Sequence, residues 1–205
     1  PLYKSKLVTY GYSSDADFRI ESSVLNQDGI DFKFVHKGDS YSGHLKAYGE
    51  KLVYNVIAAI ATAAELGMSI EDALNALDDF EPESGRFEII TLRNGDVIIN
   101  DAYNANPISM KMSLQTFDKL YPKEAFHRIV VLGDMKELGE ISPEKHNELG
   151  KLVESMSFEE IYYIGEYFKD FDVGEELQTI TEAAGMIKEV IDHNRDKKIA
   201  ILCKG

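Results

Sequence analysis

The sequence has no tryptophan, one cysteine and no long apolar run. A lone cysteine, Cys203, cannot form an internal disulfide, which is typical of a reducing compartment, so we expect a cytoplasmic protein. A membrane span needs roughly 18 consecutive apolar residues, and no stretch approaches that length. The first residues also lack the apolar core of a signal peptide. These absences argue against a secreted or membrane protein.

Positive charge is scarce as well. Lysine and arginine number 22 against 36 aspartates and glutamates, which gives a formal net charge of -14. Such a surface repels phosphate backbones and anionic lipid headgroups, so we expect neither a nucleic-acid nor a membrane partner. The sequence also lacks a G-x-x-x-x-G-K-[ST] phosphate loop, a CxxC pair and an HExxH motif. Pattern alone therefore predicts no catalytic residue and no metal ligand.

The first part of the chain predicts a β-meander followed by two helices. Residues 6 to about 48 alternate short strand-like runs with the turn signals QDG and KGD, which favours antiparallel pairing. The run KLVYNVIAAIATAAELG then has helical apolar spacing that ends near Gly67. A second helix is predicted to begin at Ser69, with Asp72 three residues on as in a capping box. The segment EPESGR, residues 81–86, is the best linker candidate.

Beyond the linker, apolar strands alternate with amphipathic helices. This rhythm predicts an α/β fold with a Rossmann-like, mostly parallel, doubly wound sheet flanked by helices. The runs RIVVLGD and KIAILCKG are apolar nearly throughout, so we expect them to be central strands. The fold class is therefore α/β, preceded by the meander and its two helices.

Polar residues follow the end of a predicted strand in NDAYNANPISM, residues 100–110. The carboxyl ends of strands are where open α/β sheets bind ligands. The short side chains of Asp101, Asn104 and Asn106 suit the hydroxyls and ring nitrogens of a nucleoside. Equally, Asn106 could cap the following helix and Asp101 could form a turn.

Five further residues are candidates for chemistry or for a structural role. Arg86 follows the linker, where it could clamp a phosphate or lie salt-bridged on the surface. Asp134, in GDMKELGE, is either a strand-end carboxylate facing the crevice or a plain turn residue. Ser142 is the predicted N-cap of the next helix, and His146 is interpreted as a surface or satisfied polar residue. Cys203 is interpreted as a small buried hydrophobe.

Taken together, five stretches resemble the Mur ligase family of ATP-dependent amide-bond-forming enzymes: NVIAAIATAAELG, SGRFEII, INDAYNANPISMKMSL, VVLGDMKELGEIS and ILCKG. The resemblance is greatest to the branch that adds D-alanyl-D-alanine to UDP-N-acetylmuramoyl-tripeptide through an acyl phosphate. It implies that residues 1–82 are the C-terminal part of the ATP-binding central domain. Residues 83–205 would then be the Rossmann-like C-terminal domain, truncated at its end.

The resemblance also carries roles onto individual positions. It implies ATP contacts for Asn55 near the adenine, Arg86 at the phosphates and Asp101 at the ribose, with help from Asn104 and Asn106. It also implies that Asp134 and Lys204 line, from two opposite rims, the part of the site that receives the incoming amino acid. ATP and Mg²⁺ are the implied cofactors, with the phosphate loop and most magnesium ligands outside these residues. Without these parts, we expect the 205 residues alone to be inactive. We also expect the protein to be a monomer.

Two alternatives stay open. The family usually has a histidine and an asparagine where this chain has Lys51 and Leu52, which leaves room for a related ligase that adds another amino acid. Folylpolyglutamate, cyanophycin and archaeal wall-peptide ligases are such relatives. The other alternative is a non-catalytic nucleotide-binding module.

Overall fold

The computed structural model describes residues 6–168, 171, 173–193 and 196–205. The chain divides into two compact units, Pro1–Pro82 and Glu83–Gly205, and the division falls within the EPESGR segment. None of the helices in the described residues combines the length and apolar character required to cross a bilayer.

The first unit contains a four-stranded sheet. Its strands are β1 (Tyr10–Gly11), β2 (Phe18–Asn26), β3 (Gly29–His36) and β4 (Asp39–Leu45), in that spatial order. The predicted antiparallel meander is confirmed for β2 to β4. However, β1 pairs parallel to β2. The chain between them folds back because the Asp17 carboxylate accepts hydrogen bonds from the backbone N–H (2.8 Å) and the hydroxyl (3.0 Å) of Thr9.

Two helices cover this sheet, α1 (Leu52–Glu65) and α2 (Ile70–Asn75). Apolar residues of α1 at helical spacing, such as Val53, Ile57 and Ile60, are buried in one core with residues of the sheet. The predicted cap is confirmed, since Ser69 Oγ accepts from the Asp72 N–H at 3.0 Å. The second predicted helix is shorter than expected because it tightens into a 3-10 turn over Ala76–Asp79.

The second unit contains a six-stranded sheet, and the predicted α/β class is confirmed. Its strands are β5 (Glu88–Thr91), β6 (Val97–Asn100), β7 (Phe126–Gly133), β8 (Glu160–Ile164), β9 (Glu175–Leu177) and β10 (Lys198–Lys204). The spatial order is β5-β6-β10-β7-β8-β9, and only the β5–β6 pair is antiparallel. The prediction that β7 and β10 are central is confirmed. The short strand β9 was not predicted.

Helices α3 (Pro107–Leu120), α4 (Ser142–Met156) and α5 (Ile180–His193) complete the unit. The alternative that Asn106 caps α3 is confirmed: its side chain accepts from the Ser109 N–H, and the Asn106 N–H donates in return to the Ser109 hydroxyl. The prediction that Ser142 caps α4 is wrong by one position, because Ser142 is the first helical residue. Its backbone is already helical, with φ -54° and ψ -50°, because α4 continues directly from a 3-10 turn over Gly139–Ile141.

The strand order decides which loops meet. Because β10 lies between β6 and β7, the carboxyl ends of these three parallel strands are side by side. The chain segments that follow Asn100, Gly133 and Lys204 therefore share one edge of the sheet, which is the edge where open α/β folds bind ligands.

Candidate functional site

Lys204, at the end of β10, is the centre of a polar cluster. The residue is 4% exposed. Its ammonium lies 3.2 Å from Asp101 Oδ2 and 3.1 Å from the Asp101 carbonyl oxygen, and it also donates to the Asn104 carbonyl. Because β10 is the direct neighbour of β6, it brings the side chains of Lys204 and Asp101 together.

Asp101 is fixed from several sides. Its carboxylate accepts from the Phe87 N–H at 3.1 Å, and its own N–H donates to the Cys203 carbonyl at 2.9 Å. Phe87 adopts a φ of 52°, which for a bulky side chain costs about 1–2 kcal/mol. The side chain of Asp101 is 16% exposed. A carboxylate has about four acceptor positions, so the ones left over can still accept a ligand hydroxyl.

Glu88 ties the segment before β5 to the end of β6. Its carboxylate accepts from the Ser84 hydroxyl (2.7 Å), the Gly85 N–H (3.2 Å) and the Asn100 amide (3.2 Å). These bonds, that of Ser84 foremost, hold the pKa of Glu88 below its usual value. Sequence reasoning missed Glu88, since an acidic residue at the start of a strand carries no distinctive signal.

Arg86 and Tyr103 stack at the open side of the cluster. The guanidinium carbon lies 4.1 Å from the centre of the Tyr103 ring, and the Tyr103 N–H donates to the Gly85 carbonyl at 3.1 Å. Tyr103 is 60% exposed. Among the described residues, the only ion pair of Arg86 is a 3.4 Å contact of Nε with Glu83. The guanidinium is therefore held flat by a ring while its outer N–H groups stay available.

The three predicted asparagines have different surroundings. Asn104 is exposed in the loop, with its carbonyl bound by Lys204. Asn106 uses Oδ1 to accept from the Ser109 N–H at 2.9 Å, so its capping role is structural. Asn55 is exposed near the start of α1 and belongs to the first unit, so the cluster of the second unit does not include it.

Asp134 joins the ends of β7 and β8. Its carboxylate accepts from the Glu166 N–H at 2.9 Å and the Tyr167 N–H at 3.4 Å. Gly165 makes this possible, because a Cβ there would lie 2.1 Å from Asp134 Oδ1. Asp134 is therefore more than a turn residue, although its contacts are with backbone.

His146 lies beside Asp134 and is 0% exposed. Its Nε2 accepts from the Met135 N–H at 3.0 Å, so Nδ1 carries the proton and donates to the Ser142 carbonyl at 2.8 Å. Together with Asp134 Oδ1 at 3.7 Å, these groups superficially resemble a Ser-His-Asp triad. Both ring nitrogens are occupied and Ser142 is buried, so no nucleophile is activated. His146 is a satisfied polar residue as predicted, and the surface alternative is wrong.

Two further features concern chemistry that the sequence did not predict. Cys203 is partly buried, and burial raises the pKa of its thiol, which favours the protonated form. Across the described ranges, no group of three histidine, cysteine, aspartate or glutamate side chains is arranged to hold a metal ion.

Comparison with known proteins places this geometry in a family. Residues 85–205 match the Mur ligase, glutamate ligase domain. Over 80% of its length the chain is 33% identical to the UDP-N-acetylmuramoyl-tripeptide–D-alanyl-D-alanine ligase of Bacillus subtilis, and over 81% it is 37% identical to the ligase of the same name from Borreliella burgdorferi. A crystal structure of MurF from Acinetobacter baumannii superposes with a TM-score of 0.84 at 26% identity, covering 97% of this chain.

These matches cover only part of each relative. The chain spans 35% of the length of both curated ligases and 43% of the solved Acinetobacter chain. Its similarity is therefore to one portion of a longer protein.

Proposed function

The chain belongs to the Mur ligase family, and we propose that it is part of an ATP-dependent ligase that adds D-alanyl-D-alanine to UDP-N-acetylmuramoyl-tripeptide through an acyl phosphate. The names of the similar curated ligases support this substrate pair. In this proposal the first unit is the end of the ATP-binding central domain and the second unit is most of the C-terminal domain. The protein acts as a cytoplasmic monomer.

The observation that carries the proposal is the pairing of two loops at the carboxyl edge of the sheet. One loop presents Arg86 and the other presents Asp101, and backbone bonds from Phe87 and Tyr103 tie them together. A carboxylate next to an exposed guanidinium matches the two ends of a nucleotide, with hydroxyls at the ribose and anionic oxygens at the phosphates.

Each residue then has a role in binding. Asp101 accepts hydrogen bonds from the ribose hydroxyls, and Arg86 donates to phosphate oxygens. In the second unit, the exposed amide of Asn104 and the NH2 group of Asn106, whose Oδ1 caps α3, supply further contacts to the nucleoside. Asn55, in the first unit, is assigned to the adenine on the resemblance alone. The segment from Asp134 to Gly139 shapes the side that receives the dipeptide amine.

Phosphoryl transfer depends on positioning and on neutralising phosphate charge. ATP supplies the phosphoryl group that activates the carboxylate, and Mg²⁺ would neutralise its charge. As the resemblance implies, we place the phosphate loop and most of the magnesium ligands outside these 205 residues. This chain contributes orientation of the nucleotide, and we expect no turnover from the 205 residues alone.

The test is a phosphate-release assay on the longest native form of the protein. It contains ATP, Mg²⁺ and UDP-N-acetylmuramoyl-tripeptide, with or without D-alanyl-D-alanine. We expect release that requires the dipeptide, and sedimentation as a monomer. Release that requires a different amino acid would favour a related ligase, and nucleotide binding without any release would favour a binding module.

A substitution tests the role of Asp101 in the same assay. Asp101→Asn removes a charged acceptor worth about 1.5–3 kcal/mol, so we expect the KM for ATP to rise roughly 10- to 100-fold. The matched control is Asp192→Asn on the exposed face of α5, which should leave KM unchanged. An unchanged KM for ATP in Asp101→Asn would remove Asp101 from the nucleotide site.

A further inference from the structure

We infer that Lys204 is a positioning residue for the nucleoside-binding loop and not a ligand of the dipeptide substrate. The inference rests on the proposed function, since it assigns Lys204 to the ATP side of that site. It reverses the role that resemblance implied for this lysine.

The first argument is the number of donors. A lysine ammonium has three N–H donors and no acceptor. In this structure three oxygens surround Lys204 Nζ: Asp101 Oδ2 at 3.2 Å, the Asp101 carbonyl at 3.1 Å and the Asn104 carbonyl. All three belong to the single loop that follows β6. Two carbonyls accept hydrogen bonds from the ammonium and the carboxylate lies in ion-pair contact with it, so a substrate carboxylate would have to compete with these three oxygens.

The second argument is burial. The side chain of Lys204 is 3% exposed, whereas that of Asp101 is 16% exposed. A ligand can therefore approach the carboxylate more readily than the ammonium. Burying a charge is costly unless it is paired and hydrogen-bonded, and here the loop supplies both the counter-charge and the carbonyl acceptors.

The third argument is rigidity. Lys204 pairs with Leu132 of β7, and the residue before it, Cys203, pairs with Asn100 of β6. The ammonium thus projects from a central strand that is fixed on both sides. Asp101 lies in a loop, and its carboxylate is oriented by the Lys204 ammonium and by the Phe87 N–H. Lys204 sets which acceptor positions of the Asp101 carboxylate face the ligand.

Removal of the ammonium should therefore affect nucleotide affinity and leave dipeptide affinity unchanged. In Lys204→Met, which keeps an unbranched apolar side chain, we expect the KM for ATP to rise roughly tenfold or more and the KM for D-alanyl-D-alanine to stay within about twofold. The control Lys151→Met removes a lysine from the exposed face of α4 and should change neither value. A raised KM for D-alanyl-D-alanine with an unchanged KM for ATP would identify Lys204 as a substrate ligand and overturn the inference.

A double variant tests whether Lys204 acts through Asp101. The effects of substitutions within one hydrogen-bond network do not add. Asp101→Asn should therefore raise the KM for ATP much less in the Lys204→Met background than in the wild type. Full additivity would show that the two residues act separately and would also contradict the inference.

Amide hydrogen exchange gives a readout that needs no turnover. We expect the N–H groups of Phe87 and Tyr103 to exchange roughly tenfold faster in Lys204→Met, because the loop that accepts from Phe87 and contains Tyr103 is released, while the amides of β7 keep their protection. Unchanged exchange at both positions would refute the positioning role. If the wild type proves inactive, the proposed function fails, but this measurement still decides the role of Lys204.

Discussion

At the scale of single residues, Gly165 decides where a carboxylate can sit. It has a φ of +154°, and a methyl group on it would lie 2.1 Å from Asp134 Oδ1. We expect Gly165→Ala to expel the Asp134 carboxylate and weaken its bonds to two backbone N–H groups. Backbone strain and lost hydrogen bonds together predict a loss of about 2–4 kcal/mol in the free energy of unfolding, measured by urea denaturation.

Gly139 is the matched control for this substitution. It also has a positive φ, +59°, but no atom of the described residues lies within 4 Å of the added methyl group. Gly139→Ala should therefore cost only the backbone penalty, about 1–2 kcal/mol. Equal losses for the two variants would mean that contact between Gly165 and Asp134 is unimportant.

At the scale of elements, α5 contains a glycine that no packing requires. Gly185 is exposed in the middle of the helix, and a methyl group added to it would meet no atom of the described residues within 4 Å. Glycine in a helix interior is about 0.8–1 kcal/mol less favourable than alanine. We expect Gly185→Ala to raise the free energy of unfolding by about 0.5–1 kcal/mol.

The neighbouring exposed residue, Ala184, provides the reciprocal variant. Ala184→Gly should lower the free energy of unfolding by a similar amount, about 0.5–1 kcal/mol, in the same denaturation experiment. A gain from Gly185→Ala without the matching loss would point to an effect other than helix propensity.

At the scale of the whole second unit, Arg128 connects four elements. It is 2% exposed, on β7. Its guanidinium contacts Asp118 of α3 at 2.6 Å, the Ser157 carbonyl at the end of α4 at 2.9 Å, and Glu159 just before β8 at 3.2 Å. Removing one partner of a buried network leaves the others unpaired, so such a change is strongly destabilising.

We expect Arg128→Met to lower the free energy of unfolding by about 2–4 kcal/mol, because the carboxylates are partly exposed and regain some hydration. Thermal and urea unfolding both measure this loss. Arg93→Met, an exposed arginine between β5 and β6, should change stability by less than about 0.5 kcal/mol. A loss below about 1 kcal/mol for Arg128→Met would show that the network is dispensable.

The sequence was informative where local pattern decides structure. Ser69 caps its helix as predicted, Asn106 caps α3 as one of its two alternatives held, and the apolar run around Val130 is a central strand. Pattern could not predict that Lys204 meets Asp101, because that contact depends on the order of strands in the sheet. Nor could it predict Glu88 or the role of Gly165, since each depends on a side chain distant in sequence. These contacts are set by the order and register of the strands and by tertiary packing.

The position of β10 has a consequence for the order of events during synthesis. This strand is the last of the six along the chain but the third across the sheet, with β6 on one side and β7 on the other. A ribosome therefore releases β5–β6 and β7–β9 as two half-sheets with exposed inner edges. They join only when residues 198–204 leave the exit tunnel, and until then such edges are prone to pair with other chains.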